Sequence, residues 1–394
     1  MADVYKPHVS GITNYIALNK AYLEQQGLEV YVFTFGDETL ADDEPNIIRS
    51  VGMPLLDTGY YLSLRYTKHA RKLLQTMDVV HVHHPFLSGS LAIRYCKPYN
   101  IPIVFTNHTR YDLYAQAYLP ALPEGVGETA LQAYLPTFCR LVDLVISPSP
   151  GMRDVLQKFG VDVPVEVVPN GVDVRPFLQD VKPRERSEFG LNAQDVIFIY
   201  TGRLGPEKNL PFLLRSFGGA VQAFDHLALM LVGDGSERDN LQDRVRVMGI
   251  QDRVRFTGMI PYAELPGYLT MADAFVTASI TEVHPLSLIE AMAAGLPVLG
   301  IQSPGVGDSI DDGATGFIVA EEDLAAYTAK LIRLATHHKQ RRQMGEQARQ
   351  AAQAYAIENT TRMMLANYQM VVERSGTRRV GLQARWRRFL ENLR

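Results

Sequence analysis

Residues 281–298 read TEVHPLSLIEAMAAGLPV, and they carry the clearest fold signals in the chain. It follows an apolar run at 274–277 that has the length and composition of a buried strand. Pro285 suits the first position of a helix, and Gly295 suits the position just past a helix end. The stretch therefore predicts a strand, a loop and a helix over 286–294, which together form part of a βαβ unit.

Two glutamates, Glu282 in the loop and Glu290 on the helix, give this stretch its chemistry. A helix that begins at the carboxyl end of a strand directs free N–H groups and its positive dipole end into a crevice, where a diphosphate can bind. Leu286 and Ser287 are expected to supply those N–H groups. Glu290 is placed to accept hydrogen bonds from ribose hydroxyls, and Glu282 from the hydroxyls of a sugar. The alternative is that both are solvated charges at a helix entry.

Outward from this stretch, short β-branched runs alternate with longer amphipathic ones, which is the pattern of parallel sheets covered by helices. In the first half, strands are predicted at 29–35, 79–83, 102–106, 144–147 and 166–169. Helices are predicted between them at 13–26, 63–76, 88–99, 128–141 and 151–159. In the second half, strands are predicted at 196–201, 227–232, 254–257, 274–277, 298–301 and 317–319. The helices there are 210–220, 237–248, 286–294 and 324–334.

The pattern repeats one architecture twice, so the fold class is α/β with two Rossmann-like domains. Pro169-Asn170-Gly171 and the proline-rich residues after it interrupt the alternation, and this places the first boundary at 177/178. The domains are then 1–177, 178–356 and a C-terminal segment 357–394 whose helix at 359–372 returns to the first domain and whose end is basic. Two such domains predict a central cleft facing the carboxyl ends of both sheets.

The start of the chain is unusual, because Asp3-Val4-Tyr5-Lys6-Pro7 resembles the loop that follows a first strand. Two explanations are open. The true start lies upstream of Met1, which we favour, or the first sheet lacks one member.

Composition limits the classes of function. The chain has 394 residues, is 46% hydrophobic and 21% charged, and carries a formal net charge of -4, which gives no general attraction to nucleic acid. Cys96 and Cys139 do not make a disulfide framework, which suits a reducing cytoplasm. The N-terminus lacks a signal-peptide pattern, and no apolar run is long enough to span a membrane. We expect a cytoplasmic protein, with peripheral attachment to the inner face of a membrane left open.

A second loop adds positive charge. Gly202-Arg203-Leu204-Gly205-Pro206-Glu207-Lys208-Asn209 follows the first strand of the second domain. Two cations there, opposite a helix N-terminus, would neutralise a departing diphosphate. Alone, an arginine and a lysine in a loop are more often surface residues, but their place after this strand favours binding. Leu231-Val232-Gly233-Asp234-Gly235 has no glycine or alanine at the sixth fingerprint position, which argues against a dinucleotide-binding oxidoreductase.

Together these motifs resemble family-4 retaining glycosyltransferases of GT-B architecture, and the resemblance spans nearly the whole chain. The family has an E-x₇-E signature, matched by Glu282 and Glu290, and a G-R-x-x-x-x-K loop, matched by Arg203 and Lys208. The resemblance implies transfer of a hexose from a nucleotide-sugar to a hydroxyl acceptor by a front-face reaction. His284-Pro285 stands where many members have Phe-Gly, which removes one backbone N–H from the phosphate site.

In the first domain, Pro7-His8-Val9-Ser10-Gly11 resembles the family's loop over the donor. Ser10 replaces the first of two usual glycines, so Gly11 remains for close approach to the donor. Thr106-Asn107-His108-Thr109 matches the family's histidine, and implies that His108 contacts the donor sugar or orients the acceptor. The sequence has no D-x-D motif, so we expect no metal ion and no cofactor. His81, His83 and His84 are predicted to line a cleft and not to bind a metal.

The acceptor is less well defined. Tyr111, Tyr114 and Tyr118 resemble the lipid-glycosylating branch, which includes diacylglycerol and phosphatidylinositol glycosyltransferases. Residues 60–74 and 378–394 mix aromatic and cationic side chains, as on helices that bind anionic lipid. The alternative is that both are ordinary solvated helices. A soluble sugar or polysaccharide acceptor, and a non-catalytic nucleotide-sugar-binding module, are the remaining alternatives.

Overall fold

The computed structural model describes residues 1–8, 10–37, 42–54, 61–111, 113, 126–178 and 181–376, with backbone only for 126–132. The chain forms two compact units. Among described residues, the first unit contains 1–108, 126–171 and 357–376, and the second contains 109–113 and 172–356.

The chain enters the second unit at Val172, earlier than the expected boundary at 177/178. The core of the second unit buries three residues of this segment, Val172, Val174 and Phe177. Because they pack there, the proline-rich segment belongs to the second unit. Val172 also pairs with Ala356 in an isolated β-bridge. The chain returns to the first unit at Ile357, and the segment 109–113, expected in the first domain, groups with the second.

The second unit contains a parallel sheet of six strands. They are β9 Val196–Thr201, β10 Leu227–Val232, β11 Val254–Gly258, β12 Ala274–Val276, β13 Val298–Ile301 and β14 Gly316–Val319. Their order is β11-β10-β9-β12-β13-β14, so the direction of winding reverses between β9 and β12. Every residue of β9 and β10 is buried, because helices cover both faces of the sheet. Ligands of such folds bind where the order reverses, at the carboxyl ends of the strands.

In the first unit, strands β5 Val80–Val82, β6 Ile103–Thr106, β7 Leu144–Ser147 and β8 Val165–Val167 form one parallel sheet in that order. A separate parallel pair consists of β1 Val32–Gly36 and β2 Ile47–Val51, and an antiparallel pair of β3 Met53–Pro54 and β4 Tyr61–Leu62. The strands predicted at 29–35 and 166–169 are thus displaced along the chain, and β2, β3 and β4 were not predicted.

The backbone of Met1 and Ala2 connects the two parallel pieces. The N–H of Ala2 donates to the carbonyl oxygen of Phe33 at 3.0 Å, and the N–H of His83 donates to that of Met1 at 3.0 Å. A cavity of about 270 Å³ lies in this unit, lined by residues 30–32 on one side and 79–81 on the other.

Fourteen helices lie among the described residues. Those of the first unit are α1 Gly11–Gln25, α2 Lys68–Leu74, α3 Leu87–Cys96, α4 Val126–Leu141, α5 Pro150–Lys158 and α14 Ile357–Arg374. Those of the second unit are α6 Arg175–Leu178, α7 Leu210–Ala223, α8 Arg238–Val247, α9 Leu265–Met271, α10 Leu286–Ala293, α11 Pro304–Gly307, α12 Leu324–Thr336 and α13 His338–Ala352. Helix α14 packs on α1, and its Leu365 lies in the same apolar cluster as Leu23.

The helix predicted at 63–76 is wrong in its first part, since α2 begins only at Lys68. Tyr61 and Leu62 belong to β4 instead. Tyr66 is buried, with its ring stacked on Phe35 at 5.1 Å between centroids, and this contact fixes the chain in a non-helical path. The hydroxyl of Thr67 then accepts the N–H of Ala70 and caps the short helix.

Candidate active site

The loop after β9 rests on the loop after β10. The N–H of Leu204 donates to the carbonyl oxygen of Asp234 at 2.9 Å. A Cβ atom on Gly233, whose φ is +137°, would lie 2.0 Å from the carbonyl oxygen of Gly202. The glycines of this segment therefore serve close packing of two loops, which fixes the backbone that carries Arg203.

Lys208 and Glu282 form an ion pair. The Nζ atom of Lys208 lies 2.6 Å from Oε1 of Glu282, and both side chains are less than one-fifth exposed. Lys208 ends a 3₁₀ turn after β9, whereas Glu282 lies in the loop after β12. The hydroxyls of Ser279 and Thr281 donate to the carbonyl oxygen of Glu207 at 3.3 Å each, and so tie the two loops together. The structure thus brings together, where the winding reverses, two residues 74 positions apart.

Arg203 has a buried partner in the same loop. Its Nη2 atom lies 2.7 Å from Oε1 of Glu207, whose side chain is 1% exposed, whereas that of Arg203 is 52% exposed. A charged hydrogen bond to a buried carboxylate restricts the guanidinium while leaving it accessible to an anion. Glu207 was not predicted as part of the site, although it lies within the quoted motif.

Helix α10 begins at Leu286, the start predicted for it, but Pro285 does not take the position expected for it. Pro285 is the N-cap, with φ of −76° and ψ of 115°, and not the first helical residue. Leu286 and Ser287 accordingly occupy the first turn, where N–H groups have no partner within the helix. At the other end Gly295 has φ of +86°, and the N–H of Leu296 donates to the carbonyl oxygen of Ala291 at 3.0 Å. This Schellman arrangement is the predicted stop at Gly295.

Glu290 is buried on α10 and makes a hydrogen bond that the sequence did not suggest. The hydroxyl of Tyr262 donates to Oε1 of Glu290 at 2.8 Å. Burial raises the pKa of the Glu290 carboxyl to about 7, and the hydrogen bond from Tyr262 acts in the opposite direction. Tyr262 is 28 positions away from Glu290, so no local pattern could have identified it.

Next to Glu282, the side chain of His284 is buried. Its ring lies edge-on to that of Tyr355, with centroids 5.0 Å apart, and burial lowers its pKa to about 3. It therefore contributes a neutral imidazole at neutral pH.

In the first unit, His108 lies just after β6 and is paired with a second histidine. Its Nε2 atom lies 3.0 Å from Nδ1 of His83, and Tyr15 packs on its ring with centroids 4.9 Å apart. Burial lowers the pKa of His108 to about 3 and holds that of His83 well below its usual value. Both rings are therefore neutral, and a hydrogen bond joins the two facing nitrogens. His83 was predicted only to line a cleft.

His81 and His84 are held inside the first unit. His81 lies 2.6 Å from the hydroxyl of Tyr368 through Nδ1 and 2.7 Å from that of Thr106 through Nε2. The Nδ1 atom of His84 accepts the N–H of Asp3 at 3.2 Å. Burial lowers the pKa of both histidines. His81 thus bonds to two partners within its own unit, and it also lines the cavity of that unit.

Ser10 and Gly11 begin α1. Ser10 is the N-cap. Its hydroxyl accepts a hydrogen bond from the N–H of Thr13 at 3.2 Å, and the hydroxyl of Thr13 accepts one from the N–H of Ser10 at 2.8 Å. Two glycines could not make this capping box. Gly11 is the first helical residue, and a Cβ atom there would meet nothing within 4 Å.

Of the tyrosines predicted on the acceptor side, only Tyr111 lies in the part of the chain that the structure describes. Tyr111 lies in the short segment that groups with the second unit. Tyr114, Tyr118 and the basic stretch 378–394 lie outside the described residues. Among described residues, no group of three or more histidine, cysteine, aspartate or glutamate side chains is arranged to hold a metal ion. None of the described helices combines the length and apolar character needed to cross a membrane.

Comparison with known proteins agrees with this arrangement. Residues 9–175 match the model of Glycosyltransferase Family 4, and 181–351 match that of Glycosyl transferases group 1. The alpha-monoglucosyldiacylglycerol synthase of Streptococcus pneumoniae is 30% identical over 82% of this chain and 75% of its own length. The D-inositol 3-phosphate glycosyltransferase of Nocardia farcinica is 26% identical over 91% of this chain and 84% of its own length.

The fold is also that of a solved structure. Sucrose-phosphate synthase of Thermosynechococcus elongatus superimposes with a TM-score of 0.75 at 21% identity, covering 94% of this chain and 95% of that one. The architecture is GT-B, as the sequence predicted. With a relative at 30% identity over most of both chains, the protein belongs to glycosyltransferase family 4 and is a glycosyltransferase.

Proposed function

We propose that this glycosyltransferase moves a hexose from a nucleoside-diphosphate sugar to a hydroxyl of a glycerolipid, with retention of anomeric configuration and without a metal ion. The observation that carries the proposal is the Lys208–Glu282 pair at 2.6 Å, where the sheet order reverses. The pair supports this proposal because a cation suited to the diphosphate lies beside a carboxylate suited to sugar hydroxyls.

The donor diphosphate is assigned to Arg203, Lys208 and the N–H groups of Leu286 and Ser287. Fixed cations and a helix N-terminus stabilise negative charge as the bond to the sugar breaks, which is the task a metal ion performs elsewhere. When the donor arrives, Lys208 exchanges Glu282 for a phosphate oxygen. Glu282 is then released to accept hydrogen bonds from sugar hydroxyls, and Glu290 takes the ribose.

Retention is assigned to a front-face reaction. The bond from the anomeric carbon to the diphosphate breaks, the acceptor oxygen attacks from the same face, and the acceptor proton passes to the leaving phosphate oxygen. His108 is neutral, because its pKa is lowered to about 3, and it serves as a hydrogen-bonding group that orients a substrate hydroxyl. The reaction needs positioning and charge stabilisation and no strong base.

Product analysis tests retention and metal independence together. Transfer from an α-linked nucleotide-hexose to diacylglycerol should give the α-glycoside, identified by the coupling constant of its anomeric proton. The rate after treatment with EDTA should equal the untreated rate. A β-glycoside, or activity that EDTA removes and Mg²⁺ restores, would contradict the proposal.

A glycerolipid acceptor is supported by the name of the relative from Streptococcus pneumoniae and by a surface of the first unit. The surface consists of Val51, Met53, Leu62 and Leu64 around the β3–β4 pair, and we call it the hairpin patch. Leu64 is 75% exposed and Met53 67% exposed. Arg65 and Lys68, both exposed, follow directly, so apolar side chains adjoin positive charge. This combination suits an anionic bilayer surface.

Vesicle binding tests the membrane contact. Met53→Asp with Leu64→Asp should reduce cosedimentation with vesicles containing phosphatidylglycerol at least fivefold, because each change places a charge in the lipid. Val247→Asp is the matched control, since Val247 is 88% exposed in the second unit. Equal partitioning of both variants and the unmodified protein would remove the hairpin patch from the proposal.

A soluble acceptor is the second candidate, supported by the name of the inositol-phosphate relative from Nocardia farcinica. Under this alternative the donor chemistry is unchanged and vesicles have no effect on turnover. The non-catalytic module is less well supported, because Arg203, Lys208 and Glu290 are all present.

A further inference from the structure

Tyr262 lies at the start of a 3₁₀ turn, Tyr262–Glu264, in the segment that follows β11. Its hydroxyl donates to Oε1 of Glu290 at 2.8 Å. The phenol ring meets that of Phe177 edge-on, with centroids 6.5 Å apart and an angle of 83° between the planes. The ring is thus held from the side while 52% of the residue stays exposed.

The Glu290 carboxylate offers two oxygens, and Tyr262 takes only one. No other described side chain donates a hydrogen bond to this carboxylate, so Oε2 is left for a ligand. Burial disfavours the ionised form of Glu290, and the Tyr262 hydroxyl counteracts this by donating to the carboxylate. The hydrogen bond also restricts rotation of the carboxylate about its last torsion, which is otherwise broad.

We infer that Tyr262 is a positioning residue of the donor site, which holds Oε1 of Glu290 so that Oε2 accepts a ribose hydroxyl of the nucleotide. The inference rests on the proposed role of Glu290 toward the ribose. It adds a residue from the β11 side to a site otherwise built from the loops after β9 and β12. It assigns ribose recognition to a phenol–carboxylate pair rather than to the carboxylate alone.

Nucleotides that lack one hydroxyl test this inference. Calorimetry would compare UDP, 2′-deoxy-UDP and 3′-deoxy-UDP, with the GDP or ADP series used if that nucleotide binds more tightly. The unmodified protein should bind the ribonucleotide about tenfold more tightly than at least one deoxy analogue, as expected for a hydrogen bond to a charged group. Tyr262→Phe should weaken binding of the ribonucleotide about fivefold and change binding of that analogue by no more than about twofold. The ratio of the two affinities should therefore fall.

A structural defect would give a different result, because it would weaken both nucleotides equally. In turnover, Tyr262→Phe should raise the donor KM and leave kcat within about twofold, since the ribose is bound equally in the ground and transition states. The matched control is Tyr268→Phe, the same chemical change in α9. Tyr268 packs on Phe189 with centroids 5.6 Å apart, and no hydrogen bond joins it to Glu290. In Tyr268→Phe, the ratio of the affinity for the ribonucleotide to that for the deoxy analogue should equal the ratio in the unmodified protein.

The roles of Glu290 and Tyr262 can be refuted separately. If Glu290→Gln keeps the full preference for the ribonucleotide, or if no nucleotide binds, the proposed role of Glu290 is wrong and the inference falls with it. If Glu290→Gln loses the preference and Tyr262→Phe keeps it, only the role of Tyr262 is overturned.

Discussion

The two units use opposite means to hold polar side chains at the ends of their strands. The second unit pairs charges: Lys208 with Glu282 at 2.6 Å and Arg203 with Glu207 at 2.7 Å. The first unit pairs neutral rings: His83 with His108 at 3.0 Å, with the pKa of both lowered by burial. A leaving diphosphate needs charge, whereas a sugar or acceptor hydroxyl needs oriented hydrogen bonds. The difference therefore predicts which unit stabilises charge and which orients hydroxyls.

The largest effect is expected from the charged residues. Lys208→Ala and Glu290→Ala should each lower kcat/KM for the donor at least tenfold, which corresponds to about 1.4 kcal/mol of transition-state stabilisation. Steady-state kinetics with folded variants would measure this. Lys182→Ala is the control, because the side chain of Lys182 is 86% exposed in the second unit. A kcat/KM of Glu290→Ala near that of the unmodified protein would refute the site assignment.

Glu282→Gln should affect binding of the nucleotide part of the donor differently from binding of its sugar part. Without its charged partner, Lys208 should bind a nucleoside diphosphate at least as tightly as before, whereas the KM for the nucleotide-sugar should rise about tenfold through weaker contact with the sugar. Calorimetry and kinetics on one preparation would show both. Equal weakening of both ligands would mean that Glu282 acts through structure and does not contact the sugar.

The neutral pair of the first unit should give a smaller effect with a distinct pH profile. His108→Ala should lower turnover about fivefold. Since burial lowers the pKa of His108 to about 3, its ring stays neutral from pH 5 to pH 9, and activity should show no step from its protonation over that range. His83→Asn, which keeps a hydrogen-bonding group, should retain more activity than His83→Leu. A step near pH 6.5 that His108→Ala abolishes would contradict a neutral His108.

The last prediction concerns stability and not activity. The pKa of Glu290 is raised from 4.5 to about 7 by burial, so between these values the folded state binds more protons than the unfolded state. The free energy of unfolding should therefore fall as pH rises through this range, by on the order of 3 kcal/mol. Glu290→Gln should remove this slope and melt at a higher temperature than the unmodified protein at pH 8. Parallel curves of melting temperature against pH for the two proteins would contradict the raised pKa.

Local sequence predicts the second unit well because its strands are continuous apolar runs, buried on both faces. Strands at Val196–Thr201, Leu227–Val232 and Val298–Ile301 have the predicted bounds. Loops that follow such strands meet at one edge of a parallel sheet, so Lys208 and Glu282 could be expected near each other from order alone. Their roles toward the donor stay predictions.

The local sequence does not predict structure at positions where contacts between distant residues determine it. Tyr66 stacks on Phe35 and keeps the chain out of a helix that its own periodicity predicts. The β3–β4 pair is only two residues long on each side, too short for an alternating pattern. Tyr262 and His83 acquire their partners through the tertiary fold, and nothing in their local sequence marks them.

A transfer assay tests the proposed donor and acceptor together. The protein would be assayed with UDP-, GDP- and ADP-hexoses, with and without vesicles that contain diacylglycerol. We expect nucleotide release from one donor, stimulated by the vesicles and matched by an equal amount of glycolipid. Equal release without lipid would contradict the glycerolipid acceptor, and no release from any donor would contradict the assignment of the donor site to Arg203, Lys208, Glu282 and Glu290.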